Sequence, residues 1–582
     1  MKRRTICAAV AAVTLIGSTV NAGAEQPSKM NETTLTFERL GGYTSGISCL
    51  DGGVTEILSY DYVSHKAWVV NGMAGTLEIL DLSELDKDSE VTSVSIDIGA
   101  MAEEAADGFS YGDMTSVSIN SEAGIAAVAL QHSEYDKNGY VALLSTDGEL
   151  LAMLEAGCQP DMVTFTPDGS RILAANEGEP RNGYGEGVTD PCGSVTVIEA
   201  DYSSLSESSC TNVDFTDFDS RCDELAESGI LFVKDALPSV DFEPEYIAAD
   251  NSKAYIALQE SNAIAVLDLE SLSYDGVYPL GFKDLSLEEN AVDLVKDGAY
   301  LANTYENAVG AYMPDGISIY RHDGITYLLT ANEGDAREWG AEENEYCNEI
   351  KAELTASDGT VAEDIRVLDS AVTDGIPEGK TALYGARSFS IYRADENGLT
   401  QVFDSGSQLE AITAEFAPEY FNCSNDDNEA DSRSQKKGPE PESVVVGTVG
   451  DRTYAFVALE RFGGIAAFDI TIPENAEFAG YVNTRYFSEE MELNEEHTHF
   501  ESDISPEGLC FVNAEHSPTG SPLLLAAFEV SGTVAAYSVE ELGISSDENT
   551  NNPDTGVTSG SKTALLAAAA ALALVTTGKK RK

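Results

Sequence analysis

The stretch "EPESVVVGTVGDRTYAFVALERFGGIAAFDI", Glu440 to Ile470, holds the pattern that decides the fold. Glu442, an acid directly after proline, opens a valine-rich run, and a second apolar run ends at Glu460. Glycine and aspartate separate these two runs, and a pair of glycines precedes a third. Apolar, β-branched and aromatic runs of this length between turn residues are typical of strands. The stretch therefore predicts a meander of three antiparallel strands.

The same unit occurs seven times along the chain. In each copy an acid, usually after proline, stands before a strand-like run, a second run follows after a turn, and most copies show a third. The seven acids are Glu56, Asp113, Asp161, Glu245, Asp315, Glu442 and Glu507. Helical periodicity is almost absent. Repeated meanders favour closure into a ring, because a ring leaves few sheet edges exposed.

We therefore predict an all-β fold, a seven-bladed β-propeller with large loop insertions, over residues 35–542. Successive acids are 48 to 127 residues apart, and the longest insertions are expected within 178–240 and 335–440. The segment "TLTFERLGGYTSG", Thr34 to Gly46, has no partner in its own unit and is expected to complete the last blade. A pair of β-sandwiches is the structural alternative.

Acids also stand where the second strands are predicted to end. The second strand of a blade runs antiparallel to the first, so the start of the first strand and the end of the second lie on the same face of the ring. The second strands end at Asn71, Gln131, Glu177, Glu260, Glu333, Glu460 and Glu529. Two circles of side-chain oxygens are thus expected to converge on one opening of the central channel.

So many like charges in one place are unfavourable unless some carboxylates are protonated or a cation neutralises them. Oxygen-rich sites suit hard cations, so we predict a bound divalent cation at this opening and favour calcium. The predicted metal ligands are Glu177, Glu245, Asp315, Glu333, Glu442, Glu460, Glu507 and Glu529. The alternative is that each carboxylate accepts backbone N–H bonds within its own blade.

Four arginines stand beside these acids. Arg181 and Arg337 follow two copies of the sequence Asn-Glu-Gly, Arg387 lies in "GARSFSIY", and Arg461 follows an acid at the end of a second strand. Guanidinium groups bind anions with paired hydrogen bonds, so these arginines are candidates for binding an anionic substrate held against a metal. A structural role as counter-ions is the alternative for each of them.

Both ends of the chain carry targeting patterns. Basic residues, an apolar run and an Ala-Gly-Ala sequence make residues 1–24 a predicted secretory signal peptide. After a linker at 543–551, residues 552–582 hold "NPDTG", an apolar segment that suggests a transmembrane stop, and the basic end "KKRK".

This order of pentapeptide, apolar segment and basic tail resembles a sortase sorting signal of Gram-positive bacteria, although Asn552 stands where leucine is usual. In such signals the bond between threonine and glycine is cut, which here is Thr555–Gly556. The resemblance implies sortase and cell-wall peptidoglycan as partners, and an extracellular, wall-anchored protein. A tail-anchored or an untethered product is the alternative.

Charge limits the other partners. The formal net charge is −68, from 101 acidic and 33 basic residues. Such a field repels nucleic acid and attracts cations, so no nucleic-acid partner is expected. An acidic composition also serves solubility in secreted proteins, and most of these acids are expected to have that role.

Several segments taken together resemble the choice-of-anchor I family of bacterial surface proteins. They include "EPEYIAADNSKAYIALQESNAIAVLDL", "YLLTANEGDAREW", "ARSFSIY" and "YAFVALERFGGIAAFDIT". The resemblance spans about residues 35–542 and implies a propeller-like protein anchored at the bacterial surface. It leaves the biochemical function open, and some relatives carry names of the alkaline-phosphatase type.

Two functions of different class are compatible with the sequence. In the first, a secreted, wall-anchored, monomeric propeller acts as a scaffold or binds an extracellular ligand of unknown identity, with calcium holding its loops. In the second, it is a metal-dependent phosphoesterase, in which carboxylates hold the metal and Arg337 or Arg387 steadies the phosphoryl oxygens. No nucleophile and base can be recognised, so the sequence leaves open whether the chain is an enzyme.

Overall fold

A computed structural model of the chain describes residues 33–50, 52–87, 89–185, 187–341, 344–487 and 502–542. The predicted signal peptide, linker and sorting signal, including Thr555 and Gly556, lie outside these residues.

The described residues form seven antiparallel sheets built around four-stranded meanders, which confirms the all-β, seven-bladed propeller. From the first strand to the fourth, blade 1 consists of Leu58–Asp61, Lys66–Asn71, Thr76–Asp81 and Ser93–Ile96; blade 2 of Tyr111–Asn120, Ile125–His132, Asn138–Ser145 and Leu150–Cys158; and blade 3 of Pro160–Phe165, Arg171–Asn176, Ser194–Glu199 and Ser209–Asp214. Blade 4 consists of Ile247–Ala249, Lys253–Leu258, Ala263–Asp268 and Ser273–Pro279, and blade 5 of Ile317–His322, Ile325–Asn332, Ser388–Asp395 and Gly398–Asp404. Blade 6 consists of Pro441–Val449, Arg452–Leu459, Ile465–Asp469 and Glu477–Val482, and blade 7 of Pro506–Val512, Leu523–Phe528, Thr533–Glu541 and Leu35–Thr44.

The first strands of the blades form a closed ring. Each first strand contacts the first strand of the next blade, and that of blade 7 contacts that of blade 1. The seven strands therefore surround one axis, and the blades extend outward from it. This closure excludes the pair of β-sandwiches as an arrangement for the described residues.

The N-terminal strand closes the ring. Leu35–Thr44 pairs antiparallel with Thr533–Glu541 over its whole length, from Leu35 opposite Glu541 to Thr44 opposite Thr533. The fourth strand of blade 7 thus comes from the other end of the described chain, as the unpartnered segment in the sequence predicted. A two-residue strand, Ser89–Glu90, adds to the outer edge of this strand in parallel.

The blades pack on each other through their sheet faces. Valine, leucine, isoleucine and alanine alternate between the two faces of each strand, so the inner strands are buried on both sides. Between blades 6 and 7, Phe456 and Phe511 stack with ring centroids 5.2 Å apart, and Phe37 meets Phe456 edge-on at 6.2 Å. Trp68 is fully buried between blades 1 and 2.

Insertions between strands carry the remaining elements. The helices are Ile98–Ala105, Cys222–Glu227, Pro238–Asp241 and Gln408–Phe416, with 3-10 turns at Leu205–Glu207, Thr216–Arg221, Glu288–Asn290, Pro418–Tyr420 and Pro473–Asn475. The additional strands are Phe232–Val233, Phe282–Asp284, Ala308–Ala311, Glu338–Trp339, Tyr346–Cys347, Glu349–Thr355, Val361–Leu368, Thr373–Asp374 and Thr381–Tyr384. Within the described ranges, no helix combines the length and the apolar character of a membrane span.

The two insertions expected at 178–240 and 335–440 are present, and a third was not predicted. Residues 280–316, between blades 4 and 5, contribute two strands to a sheet that Thr381–Tyr384 of the blade 5 insertion completes. This sheet joins segments about seventy residues apart, so no local sequence pattern indicates it.

Leu35→Ala tests the ring closure. Leu35 is 1% exposed and packs in the core between blades 6 and 7, so the change should lower the free energy of unfolding by about 2–5 kcal/mol. Thr36→Ala, at an exposed position of the same strand, should change it by less than about 0.5 kcal/mol. Denaturant unfolding measures both, and equal stability of the two variants would contradict closure by this strand.

Candidate metal centre at one end of the propeller axis

The first ring of acids consists of the seven residues at the starts of the first strands, and the second ring consists of the seven residues at the ends of the second strands. The acids of the first ring lie where the first strands are irregular. In blades 3, 6 and 7 the pairing with the second strand shifts register just after the proline, at Pro160/Val163, Pro441/Val444 and Pro506/Leu509. Each shift contains the acid of that blade. A β-bulge bends a strand and changes the direction of its side chains, so here it turns the acid toward the axis instead of into a blade interface.

Blades 1, 4 and 5 show the same irregularity in their hydrogen bonds. In blade 5 the N–H of Asp315 donates to the carbonyl of Ala331 at 3.1 Å, while the N–H of Ala331 donates to the carbonyl of Gly316 at 3.0 Å. Two consecutive residues thus face one residue of the second strand. Glu56 and Glu245 have equivalent bonds, so the repeat positions its acid by backbone geometry.

A strained residue before the proline links the two rings of acids. Gln159, Met313, Glu440 and Ser505 have φ between 46° and 60°, a region that residues other than glycine seldom occupy. Their carbonyls accept N–H bonds of 2.8–3.0 Å from the residues that follow the second strands, which are Glu177, Gly334, Glu460 and Glu529. This contact draws the end of the second strand against the start of the first.

A cavity of about 680 Å³ lies at this end of the axis. All seven first-ring acids line it, and so do all eight predicted metal ligands, so the structure brings those residues together. Three members of the second ring lie elsewhere. Glu260 lines an adjoining cleft, Gln131 lines a groove that shares Asp113 with the cavity, and the side-chain oxygen of Asn71 accepts the N–H of Ala74 at 3.0 Å within its own turn.

The cavity is strongly acidic. Among the described residues that line it, thirteen carry carboxyl groups and three carry positive charge. Burial, and then repulsion by neighbouring carboxylates, raises the pKa of Glu56 to about 8. Burial also raises the pKa of Asp161 to about 7, with Asp315 the next cause, and the same two effects hold the pKa of Glu507 well above its usual range. The folded chain therefore resists full ionisation of this site.

One group of carboxylates at the cavity is neutralised by the chain itself. Oxygens of Glu333, Glu440 and Glu460 lie within 4.8 Å of one another. Glu440 is fully buried and pairs with Arg433, with Lys437 at 3.1 Å and with Arg461 at 3.2 Å. Despite burial, these three cations hold the pKa of Glu440 well below its usual range. This group has its counter-ions and has little need of a metal.

A second group of carboxylates at the cavity has fewer counter-ions. Oxygens of Asp315, Glu333 and Glu442 also lie within 4.8 Å of one another. Glu442 is 7% exposed, and its Oε2 has no hydrogen-bond partner among the described residues. Burial, followed by repulsion from Glu333 and Glu507, holds the pKa of Glu442 well above its usual range. An unpartnered buried carboxylate oxygen is costly, and a cation coordinated there would satisfy it.

Glu333 connects the two groups. Its Oε1 pairs with Lys437, and its Oε2 accepts a hydrogen bond of 3.0 Å from Gln259. Burial raises the pKa of Glu333 to about 8, since the single lysine does not offset burial and the surrounding carboxylates. Of the three carboxylates in the second group, Asp315 and Glu442 are therefore the two that lack an ion pair with a cationic side chain among the described residues.

Two of the four predicted arginines lie at this end of the axis. Arg461 lines the cavity and pairs with Glu460 at 2.9 Å as well as with Glu440. Arg181 lies beside the cavity, lines the groove that contains Asp113, and pairs with Glu179 at 2.8 Å. Both act as counter-ions to neighbouring acids.

The other two arginines do not line the cavity. Arg337 is 1% exposed, and its guanidinium donates to Glu243 at 3.3 Å and to the carbonyl of Asp241 at 2.6 Å. Arg387 donates to Glu410 at 2.7 Å and to the carbonyls of Ser434 and Lys436. Both guanidiniums hold inserted segments in place, and neither faces an open site where a substrate could bind.

Sequence reasoning missed several residues of the site. Arg433 and Lys437 line the cavity and pair with Glu440, and all three come from the insertion between blades 5 and 6. Asp335, which also lines the cavity, comes from the insertion inside blade 5. One signal was available: adjacent lysines in "SQKKGPEPE" precede a repeat acid in a chain poor in basic residues.

A seven-bladed propeller with an acidic axial cavity is the class of protein that these observations define. The family model of the choice-of-anchor I domain matches residues 56–473, most of the chain. The chain therefore belongs to the choice-of-anchor I domain family. Membership in this family implies a protein anchored at a surface.

Two curated relatives are similar over part of their length. Gigasin-3a of Magallana gigas is 32% identical over 170 residues, which is 27% of this chain and 57% of that protein. A mesenchyme-specific cell surface glycoprotein of Strongylocentrotus purpuratus is 30% identical over 274 residues, 39% of this chain and 35% of that protein. The matches thus span less than two thirds of either relative.

Solved structures with a similar arrangement are distant. Hydrazine synthase of Kuenenia stuttgartiensis is 10% identical with a TM-score of 0.40, over 85% of this chain and 97% of that chain. The propeller domain of Cps50 (Swd1) of Myceliophteria thermophila is 8% identical with a TM-score of 0.39, over 85% and 99%.

The raised pKa values predict how stability depends on pH without metal. Glu56, Asp161 and Glu333 have folded pKa values of about 8, 7 and 8, above their ordinary values. Between about pH 5 and pH 8 the folded chain therefore binds more protons than the unfolded chain, and its free energy of unfolding falls as the pH rises. Urea unfolding in chelator measures this slope. A stability that stays constant or rises over this window would contradict the acidic site.

Proposed function

We propose that this protein is a surface-anchored propeller that binds a divalent cation, most simply calcium, in its axial cavity and serves as a binding or scaffold module. The unpartnered Oε2 of Glu442, beside Asp315 and Glu333, is the observation that carries the proposal. The ligands available are carboxylate oxygens, which suit a hard cation of the size of calcium better than a soft transition metal.

The positions of these three acids indicate what the cation would do. Asp315 lies two residues before the first strand of blade 5, Glu442 lies in the first strand of blade 6, and Glu333 begins the insertion inside blade 5. A cation shared by them ties two neighbouring blades and an inserted loop to one point. It also removes the repulsion that burial makes costly, so metal binding and folding stability are coupled.

Hydrolysis of phosphate esters receives less support than binding. The phosphoesterase alternative assigned Arg337 or Arg387 to the phosphoryl oxygens, and each guanidinium is occupied by buried partners away from the cavity. A carboxylate cluster that holds a cation needs no nucleophile or base to act as a structural or binding site.

Calcium titration with matched variants tests the proposal. Calcium should bind the purified protein and raise its melting temperature, and chelator should reverse this, because an ion that binds only the folded state stabilises it. Glu442→Gln should weaken calcium binding at least about tenfold, a loss of about 1.4 kcal/mol or more. Without metal, the same variant should be more stable than the wild type at pH 8, since it removes a repelled carboxylate.

Asp323→Asn is the control, because its carboxylate is 88% exposed and lies outside the cavity. Its calcium affinity should equal that of the wild type. Equal affinity in Glu442→Gln and wild type would overturn the axial site. Turnover of phosphomonoesters that chelator abolishes would overturn the choice of binding over hydrolysis.

We also propose that the chain is joined to the cell wall of a Gram-positive bacterium by sortase. The support is the order of "NPDTG", apolar segment and basic tail in residues 552–582. Mass spectrometry of protein released from the wall by a peptidoglycan hydrolase should find Thr555 as the last residue of the chain, linked to a wall peptide. A chain that still contains residues 556–582 would contradict this attachment.

A further inference from the structure

A second cleft opens beside the axial cavity. Its volume is about 540 Å³, and the insertions of blades 5 and 6 form most of its wall, including Trp339 and Tyr384. Six residues line both spaces, so the two are continuous: Glu177, Glu245, Asp335, Arg433, Lys437 and Arg461. A ligand in the cleft would therefore lie next to a cation bound at the axis.

Basic residues are concentrated in this cleft, where five of them stand among seven acids. Only 33 of the 582 residues are lysine or arginine, yet five line this one space: Arg366, Arg433, Lys436, Lys437 and Arg461. Lys437 and Arg461 are held by Glu440 and its neighbours, as described above. Arg366 pairs with Glu349, which also accepts the hydroxyl of Tyr384.

Lys436 differs from the others. Its ammonium group forms no ion pair with any acid among the described residues, although the chain carries three acids for each base. Its neighbours include Arg433 and Arg366, and burial together with these like charges lowers the pKa of Lys436. Glu349 already pairs with Arg366 and Glu440 with Arg433, so Lys436 is the cation of this trio that is left without an acid of its own among the described residues.

We propose that this cleft binds the doubly charged oxyanion group of a ligand, of phosphate or sulfate type, through Lys436, Arg366 and Arg433. A tetrahedral oxyanion offers oxygens to three donor groups at once, which a single carboxylate does not, and a guanidinium that pairs with one carboxylate keeps further N–H donors for a second anion. The inference extends the proposed function, because it names the chemistry of the ligand that the module binds.

Binding of the cation and binding of the oxyanion should each increase the affinity for the other. Glu177, Glu179, Glu245 and Glu260 line the cleft on the side of the axis and repel an anion when ionised. A divalent cation at Asp315 and Glu442 offsets that repulsion. The oxyanion is therefore expected to bind more tightly when calcium is present, and calcium more tightly when the oxyanion is present.

Tryptophan fluorescence provides a direct measurement. The chain has two tryptophans: Trp339 lines the cleft, whereas Trp68 is fully buried in the core between blades 1 and 2. Sulfate and inorganic phosphate, each titrated into the purified protein with and without calcium, should change the emission of Trp339. Acetate at the same ionic strength should not. Trp339→Phe should abolish the change, which assigns the signal to the cleft.

Lys436→Gln should raise the dissociation constant for the oxyanion at least about tenfold, a loss of about 1.4 kcal/mol or more. Lys351→Gln is the matched control, since Lys351 lies in the same insertion as Arg366 but is 53% exposed and pairs with Asp364 at 3.3 Å. Its dissociation constant should equal that of the wild type. Equal constants in the two variants, or a response to acetate as strong as to sulfate, would overturn the inference.

Calorimetric titration of calcium alone separates this inference from the proposed function. Calcium binding without any oxyanion response overturns the cleft site and leaves the axial cation site standing. An oxyanion response that calcium does not strengthen, in a protein that binds no calcium, overturns the axial site and the coupling between the two.

Discussion

The structure depends on the closure of one ring. Leu35–Thr44 completes blade 7, and the first strands of the seven blades then surround a single axis. Once this has happened, every residue that opens a first strand is forced toward the same end of the channel. A closed ring removes free sheet edges, but it gives the chain no freedom to separate like charges that its repeat places at equivalent positions.

The sequence repeat places an acid at the start of every first strand, and the backbone conformation there directs the carboxylate toward the axis. In each of blades 3, 6 and 7 a residue with positive φ precedes proline, and a register shift follows at the acid. Such strain persists only where the surrounding structure fixes it, and it is commonly found at functional sites. Here it directs carboxylates toward the axis. Because they are buried there, water does not stabilise their charged form, and their pKa values rise.

The insertions then divide the acids into two kinds. Lys437, Arg433 and Arg461 neutralise Glu440 and its neighbours, whereas Asp315 and Glu442 have no cation of their own among the described residues. The regular blades thus supply a symmetrical set of carboxylates, and the insertions break the symmetry. Arg387 contributes from a distance, since it holds the carbonyls of Ser434 and Lys436 and so fixes the segment that carries the lysines. Function on such a scaffold depends on its loops more than on its sheets.

The sequence by itself determined the strands, the seven blades, the closing strand and the convergence of the eight predicted metal ligands. These follow from local patterns: apolar runs of strand length, turn residues, and an acid at a constant place in each repeat. Only the tertiary structure decided which of those acids are neutralised and which arginines are exposed. Arg337 pairs with Glu243, 94 residues away, and Lys437 with Glu333, 104 residues away. Ion pairs depend on distance in space between inserted segments, and no periodicity along the chain records that distance.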